Sequence, residues 1–238
     1  MNIPEDIQEL FRNKKICIVA GGDITPLSGG HIDNDFDIVV RLNNMHNIYP
    51  YSDKIKKDYG EKCDILFREH HGMWGMMNQM GDKEYADILF QIGVKDIILY
   101  DCLDSCESMV DRIRLAGGDR FKYHRLPEES SVLKTLSKFY SRASLPATGI
   151  TAITMIASCS PKSIDLFGFT FYYDYNENIY NPELGKVRNE IPNDPEFGHN
   201  FKADLLIFAS HLYWLCEINI DPLMRNIISE KVGINFYE

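Results

Sequence analysis

Four short runs rich in Ile, Val and Leu recur through the N-terminal part of this chain: "KKICIVAGG", "FDIVVRLN", "KCDILFRE" and "VKDIILYD". Each reads as a strand of an α/β sheet, the first ending in a pair of glycines. Between the third and fourth, "DKEYADILFQIG" has helical spacing and a glycine stop. "DRIRLAGGDRFKYHRLP" then joins a short helix to a further strand, and "SSVLKTLSKFYSR" is a helix with a serine start. "LPATGITAITMIASCSPKSIDLFGF" reads as a turn, a buried helix over about 149–159, a stop at Pro161 and a buried strand at Ile164–Phe169. "FKADLLIFASHLYWLCEI" is expected to be one strongly amphipathic helix, and "PLMRNIISEKVG" another. Alternation of strands with helices implies a largely parallel sheet whose ligands gather beyond the C-terminal ends of the strands.

The segment at about 170–199, "TFYYDYNENIYNPELGKVRNEIPNDPEFGHN", interrupts this pattern. It is polar and rich in tyrosine and asparagine, and loops of such length are lids, binding loops or disordered stretches. With no repeat or linker visible, residues 1–238 are expected to form a single Rossmann-like α/β domain, with a mainly parallel sheet flanked by helices and a long lid loop.

Charge narrows the function. A net charge of -10 over 238 residues argues against a nucleic-acid partner, which calls for a basic face. An anionic small molecule is compatible with it, because backbone N–H groups can bind anions locally. No apolar run approaches the ~20 residues of a membrane span. The N-terminal "MNIPEDIQELFRNKK" is acidic and amphipathic, unlike a secretory signal, so a cytoplasmic setting is expected, with the inner membrane face open as a peripheral one. The six cysteines (Cys17, Cys63, Cys102, Cys106, Cys159, Cys216) form no CxxC pair and are read as free and mostly buried.

Several residues have the chemistry of a site. "AGGD" closes the first strand, and Gly21 and Gly22 would let backbone N–H groups approach a phosphate, or simply make a tight turn. In "PATGITA", Thr148 stands where a helix begins and can cap it, while Gly149 and the free N–H groups offer an anion site. His199 lies at the entrance of the "FKADLL" helix, where the positive end of the dipole favours its neutral, basic form. Tyr172, Tyr173, Tyr175 and Tyr180 could donate to a departing phosphate, or pack as lid aromatics. Asp35 and Asp37 spell a literal Asp-x-Asp. They lie before and at the start of a strand, away from the end where a metal-binding pair should stand, and are read as structural.

Taken in order, these pieces resemble a sialyltransferase. "CIVAGGDI…DNDFDIVVRLNN" is similar to the long sialyl motif, and "LPATGITAITMIASCSPKSIDLFGF" to the short one. "FYYDY" looks like the small tyrosine motif, and "HNFKAD" like the last motif, a histidine with an acid five positions on. The four motifs follow the family's order across residues 17 to 204. The resemblance implies inverting, metal-independent transfer of sialic acid, or a related nonulosonic acid, from a CMP-activated donor to a hydroxyl of an acceptor glycan. It implies no cofactor besides the CMP-sugar co-substrate, and it leaves a homo-oligomer open.

Carried onto this chain, the resemblance makes His199 the general base and Tyr172 the group that stabilises the leaving phosphate. Gly21 and Gly22 would approach the nucleotide, and Asn43 would hydrogen-bond the donor. Thr148 and Gly149 would bind its phosphate or carboxylate. Gly168, Phe169 and Thr170 would line the cytidine or ribose side, with Tyr180 or Tyr175 as a second phosphate contact. The chain departs from the family's pattern at Gly22, where asparagine is usual, at Asp23, where glycine is usual, and at Asp204, which replaces glutamate. These departures bear on the donor, with CMP-Kdo as another option. Two other classes compete. A Rossmann oxidoreductase or methyltransferase would use "AGGD" for its cofactor, but "RLNN" stands where its acidic ribose anchor belongs. A non-catalytic nucleotide- or sugar-binding relative is the other.

Overall fold

In the computed structural model, which describes residues 3–43, 45–69, 73, 77–100, 106–126, 130–140, 146–171 and 201–233, the apolar runs become seven strands of one sheet. They are β1 (Lys15–Val19), β2 (Ile38–Leu42), β3 (Ile65–Glu69), β4 (Asp96–Tyr100), β5 (Lys122–Leu126), β6 (Ser163–Phe167) and β7 (Ile218–Ile220). Their order is β5-β4-β3-β2-β1-β6-β7, and every neighbouring pair is parallel. The described helices are α1 (Glu5–Phe11), α2 (Gly29–Asn34), α3 (Asp53–Tyr59), α4 (Asp82–Ile92), α5 (Cys106–Gly117), α6 (Ser131–Leu136), α7 (Thr148–Ala157), α8 (Phe201–Ser210) and α9 (Pro222–Val232).

Both faces of the sheet are covered at its centre, which is why β1 to β4 and β6 are largely apolar while the edge strands β5 and β7 are not. Side chains alternate between faces with period two. Ile16 and Ile18 of β1, Val40 and Leu42 of β2, and Ile65 and Phe67 of β3 join one core with α1, α7 and α8. Their neighbours turn the other way. Cys17, Val19 and Val39 pack with Ile32 of α2 and Tyr59 of α3, while Leu66, Ile97 and Leu99 pack on α4. Cys17, Cys63 and Cys159 are buried thiols and Cys216 is half-buried, all four free, while Cys102 lies outside the described residues.

Helix ends follow local chemistry. Gly93 closes α4 in the left-handed conformation at φ 94°, as the glycine stop in the sequence predicts. Asp221 caps α9 by accepting the Leu223 N–H at 2.7 Å, and Pro222 occupies the first turn.

Three expectations need correction. "FKADLLIFASHLYWLCEI" is not one helix: α8 stops at Ser210, a short 3₁₀ turn covers Leu212–Trp214, and β7 follows at Ile218–Ile220. The apolar run continued because it crosses from a buried helix into an edge strand, both serving the same core. His211, which a single helix over that run would carry among apolar residues, is exposed just beyond the end of α8. The strand expected at Ile164–Phe169 ends at Phe167, because Gly168 turns the chain at φ 72°.

Candidate functional site

The chain winds outward from β1 through β2, β3, β4 and β5, then returns to place β6 on the other side of β1. This reversal makes the C-terminal ends of β1 and β6 a topological switch point, the place where open α/β sheets receive ligands.

Two glycine turns interlock there. The Gly22 N–H donates to the Gly168 carbonyl at 3.0 Å, and the Ala20 N–H donates to the Phe167 carbonyl at 2.9 Å. A Cβ on Gly22 would lie 2.6 Å from the Gly168 oxygen and 2.9 Å from Thr170 Oγ1, so no side chain fits. Gly168 is equally enclosed, at φ 72° with the Ala20 oxygen 2.7 Å from where its Cβ would be. The Tyr59 hydroxyl donates to the Gly22 carbonyl at 3.1 Å. The Gly22 N–H expected to face a nucleotide is therefore engaged inside the protein. The half-exposed Gly21 is the residue of this turn open to approach. Phe169 and Thr170 are buried behind it.

Helix α7 begins beside this junction. A Cβ on Gly149 would fall 2.7 Å from the Phe169 ring and 3.6 Å from Leu42 Cδ1, so the glycine lets the first turn of α7 settle onto the ends of β6 and β2. Asn43 follows Leu42 directly, in the left-handed conformation at φ 57°, and is half-buried. Its N–H donates to the Phe67 carbonyl at 3.2 Å. Thr148 does not cap the helix as expected. The N-cap is Ala147, extended at φ −64° and ψ 153°, with no side-chain cap. Thr148 is the first helical residue, and its hydroxyl pairs with the Tyr100 hydroxyl at 2.8 Å. The first N–H groups of α7 have no partner within the helix, and Thr148 and Gly149 are only half-buried.

A second cluster closes the other side of the same helix end. Asp204, in the first turn of α8, is 1% exposed. Its Oδ1 accepts from the Tyr140 hydroxyl and, at 3.4 Å, from the Ala147 N–H. Its Oδ2 has no hydrogen-bond partner among the described residues. Burial pushes the Asp204 carboxyl up to about 7 against the opposing pull of those two donors. Burial and the adjacent carboxylate likewise raise the Tyr140 phenol.

Gly21, Gly22, Asn43, Thr148, Gly149, Gly168, Phe169 and Thr170 thus gather around one point at the C-terminal ends of β1, β2 and β6. His199, Tyr172 and Tyr180, with Tyr173 and Tyr175, lie outside the described residues. Asp35 and Asp37 stand at the opposite end of β2. Asp37 accepts the Lys15 N–H at 2.8 Å, and Asp35 pairs with His31 one turn earlier. Arg41, of the "R-x-N" strand, is buried with Nε on the Lys62 carbonyl and Nη2 on the Tyr59 carbonyl, so it caps the C-terminal end of α3. Among the described residues, no group of three or more His, Cys, Asp or Glu side chains is placed to hold a metal ion, and no helix is long and apolar enough to cross a membrane.

Sequence reasoning missed Tyr100 and Tyr140, and saw Asp204 only as a motif letter. Tyr100 closes β4 at its C-terminal end, a position that itself points toward a site. Tyr140 carries no such signal.

No protein-family model matches the chain, and no curated protein matches it. Among solved structures, it is similar to the monofunctional α-2,3-sialyltransferase Cst-I of Campylobacter jejuni, with 15% identity and a TM-score of 0.57, covering 94% of this chain and 83% of that one. An apo α-2,3-sialyltransferase from Campylobacter jejuni matches with 15% identity and a TM-score of 0.52, covering 95% of this chain and 83% of that one. At this identity the likeness establishes a shared fold and nothing finer.

Proposed function

We propose that the protein is a sialyltransferase that moves sialic acid, or a related nonulosonic acid, from a CMP-activated donor to a hydroxyl of an acceptor glycan. The observation that carries this reading is convergence. Residues 21–22, 43, 148–149 and 168–170, set apart in sequence and picked out by the ordered motifs, meet at the switch point of the sheet. The fold shared with the Campylobacter jejuni α-2,3-sialyltransferases supports the same reading at the level of architecture.

In this proposal the donor's phosphate or carboxylate docks on the free N–H groups at the start of α7, with the Thr148 hydroxyl oriented by Tyr100. The β1 turn and Gly168–Thr170 form the wall on the nucleotide side, and Asn43 hydrogen-bonds the donor. The acceptor oxygen attacks the anomeric carbon, the bond from that carbon to the CMP phosphate oxygen breaks on the opposite face, and the acceptor's proton passes to His199. Tyr172 hydrogen-bonds the departing phosphate. The chemistry asks for a base and hydrogen-bond donors and is written without a metal or a cofactor.

Isothermal titration of the full chain with CMP in EDTA, with NAD and S-adenosylmethionine as controls, tests the site. Selective CMP binding is expected. Silence toward CMP with a clear signal from either control would assign the glycine turn to another cofactor. Given a transfer assay, His199→Ala should lower kcat by about 10²- to 10⁴-fold while CMP affinity holds. Transfer within a few-fold of wild type removes His199 from the base role. Restoration by magnesium of activity lost in EDTA would overturn metal independence.

A further inference from the structure

Asp204 is not needed as a ligand, base or leaving-group contact in the reaction above, yet it sits against the helix end on which that reaction depends. One carboxyl oxygen bonds the Ala147 N–H and the Tyr140 hydroxyl, and the other has no partner among the described residues, at 1% exposure. A buried carboxylate with an oxygen left over is costly; a carboxylic acid in the same place is much less so. Among the described residues no compensating charge is paired with it. The 137–140 segment contributes the Tyr140 phenol, its Lys138 being exposed to solvent, and α7, "TGITAITMIA", has no ionisable side chain at all. On α8, "FKADLLIFAS", the one other ionisable residue is Lys202, which is exposed to solvent. The charged residues of α9 exert no resolved influence on the carboxyl, whose burial is opposed only by Tyr140 and Ala147.

The same feature bears on anion binding. The Ala147 N–H held by Asp204 belongs to the residue that opens α7, one position before Thr148. A negative charge at that place lies beside any anion received by Thr148 and Gly149, in a region where water screens it poorly. A neutral carboxyl leaves the positive end of the helix dipole unopposed.

We propose that Asp204 is a positioning residue that couples anion binding at the start of α7 to uptake of a proton. An anionic donor group docks at Thr148 and Gly149 while Oδ2 carries a proton taken from solvent, and loss of that proton loosens the anion. This inference rests on the CMP-donor reading of the site and adds to it a dependence on pH that a structural carboxylate would not give.

The probe is the methyl phosphodiester of CMP, whose single negative charge does not titrate near neutrality, unlike the second ionisation near 6 of a phosphate monoester. Titrated into the full chain between about pH 5.5 and about pH 8.5, it should bind about ten-fold more weakly at the upper end. Binding at neutral pH should take up a proton, read from the difference in heat between buffers of unlike ionisation enthalpy. Neutral cytidine should bind without pH dependence. Asp204→Asn should flatten the profile. Tyr140→Phe removes a donor that favours the carboxylate, so it should carry the midpoint to higher pH, and it provides the test if the asparagine variant does not fold. An unperturbed histidine titrates in the same range, and His199 is the proposed base. A slope that survives in Asp204→Asn and vanishes in His199→Ala overturns the proposal in favour of the histidine. A flat wild-type profile, or a midpoint indifferent to Tyr140→Phe, overturns the coupling alone. Failure of both the diester and cytidine to bind at any pH overturns the CMP site and the coupling with it.

Discussion

Asp64 and Asp204 are both buried carboxyls, 8% and 1% exposed, and the two ends of the sheet treat them in opposite ways. Asp64 stands just before β3, at the N-terminal edge. It accepts the Val39 N–H at 3.0 Å and the Lys95 ammonium at 2.7 Å, with Lys62 at 3.7 Å. Its backbone carbonyl also receives the Lys95 and Asp96 N–H groups, so one residue ties β2, β3 and β4 together. Asp204, at the C-terminal edge, has a phenol and one long N–H contact and, among the described residues, no cation. Buried polar groups that serve the fold are normally satisfied, and one that is not calls for another explanation. The contrast separates a scaffold edge from a working edge more sharply than the position of Asp35–Asp37 does.

The largest expected effect tests that separation. Asp64→Asn should cost about 2–3 kcal/mol in urea unfolding at pH 8, because the buried Val39 N–H loses a charged acceptor, while the exposed Lys95 adds little. Asp204→Asn should cost far less at the same pH. An unfolded aspartate ionises near 3.9 and the folded Asp204 at about 7, so between these values the folded state holds the extra proton. Wild-type stability should therefore fall relative to Asp204→Asn as pH rises through that interval, and the difference should level off above it. If the two asparagine variants lose equal stability at pH 8, both aspartates are scaffold and the distinction between the edges fails.

Glycines give a second, smaller version of the comparison. Gly22 at the junction and Gly30 in α2 both follow the first strand, but a Cβ on Gly22 meets backbone within 2.6 Å and one on Gly30 meets nothing within 4 Å. Gly22→Ala should destabilise by about 2 kcal/mol, since the Gly168 carbonyl, held in the turn after β6 by the Gly22 N–H, cannot readily step aside, and should weaken CMP binding along with it. Gly30→Ala should be neutral or stabilise by up to about 1 kcal/mol through helix propensity. An intact CMP isotherm in a destabilised Gly22→Ala would detach the glycine turn from the ligand and leave it a packing device.

β1 to β4 and β6 were legible because a sheet covered on both faces demands apolar runs, and such runs are visible without knowing what covers them; β5, "KYHRL", was read as a strand without such a run. β7 was not, being three residues, "INI", at the end of a run that a helix had already explained. α2 opens on two glycines, "GGHIDN", against its own propensity, and stands because Gly29 lies against the end of α3: its Cβ would be 2.1 Å from the Lys56 carbonyl. In the site, what could be read was backbone: glycines after the first strand, a Thr-Gly at a helix start. What could not be read was side chains that meet across long stretches of chain, such as Tyr100 with Thr148 and Tyr140 with Asp204. Even the misreading of Thr148 as a cap has this origin, because its hydroxyl answers to a residue 48 positions away and not to its own helix.

That tyrosine carries the smallest and most specific prediction. Tyr100 is 2% exposed, and its ring stacks on Phe67 with centroids 5.3 Å apart, so the side chain would hold its place with or without the hydroxyl. Tyr100→Phe therefore removes the partner of the Thr148 hydroxyl, at a cost of about 1 kcal/mol. If Thr148 meets the donor, the loss should appear in binding, as a few-fold rise in the CMP dissociation constant, because a hydroxyl freed to rotate is no longer aimed. Thr148→Val removes the hydroxyl itself and should produce a rise at least as large, and the double variant should be no worse than Thr148→Val alone, since Tyr100 acts through that hydroxyl. Additive losses would mean that Tyr100 reaches the ligand by itself. Unchanged CMP affinity in both single variants, with stability lowered, would make the pair a strut between β4 and α7 and return this corner of the site to the scaffold.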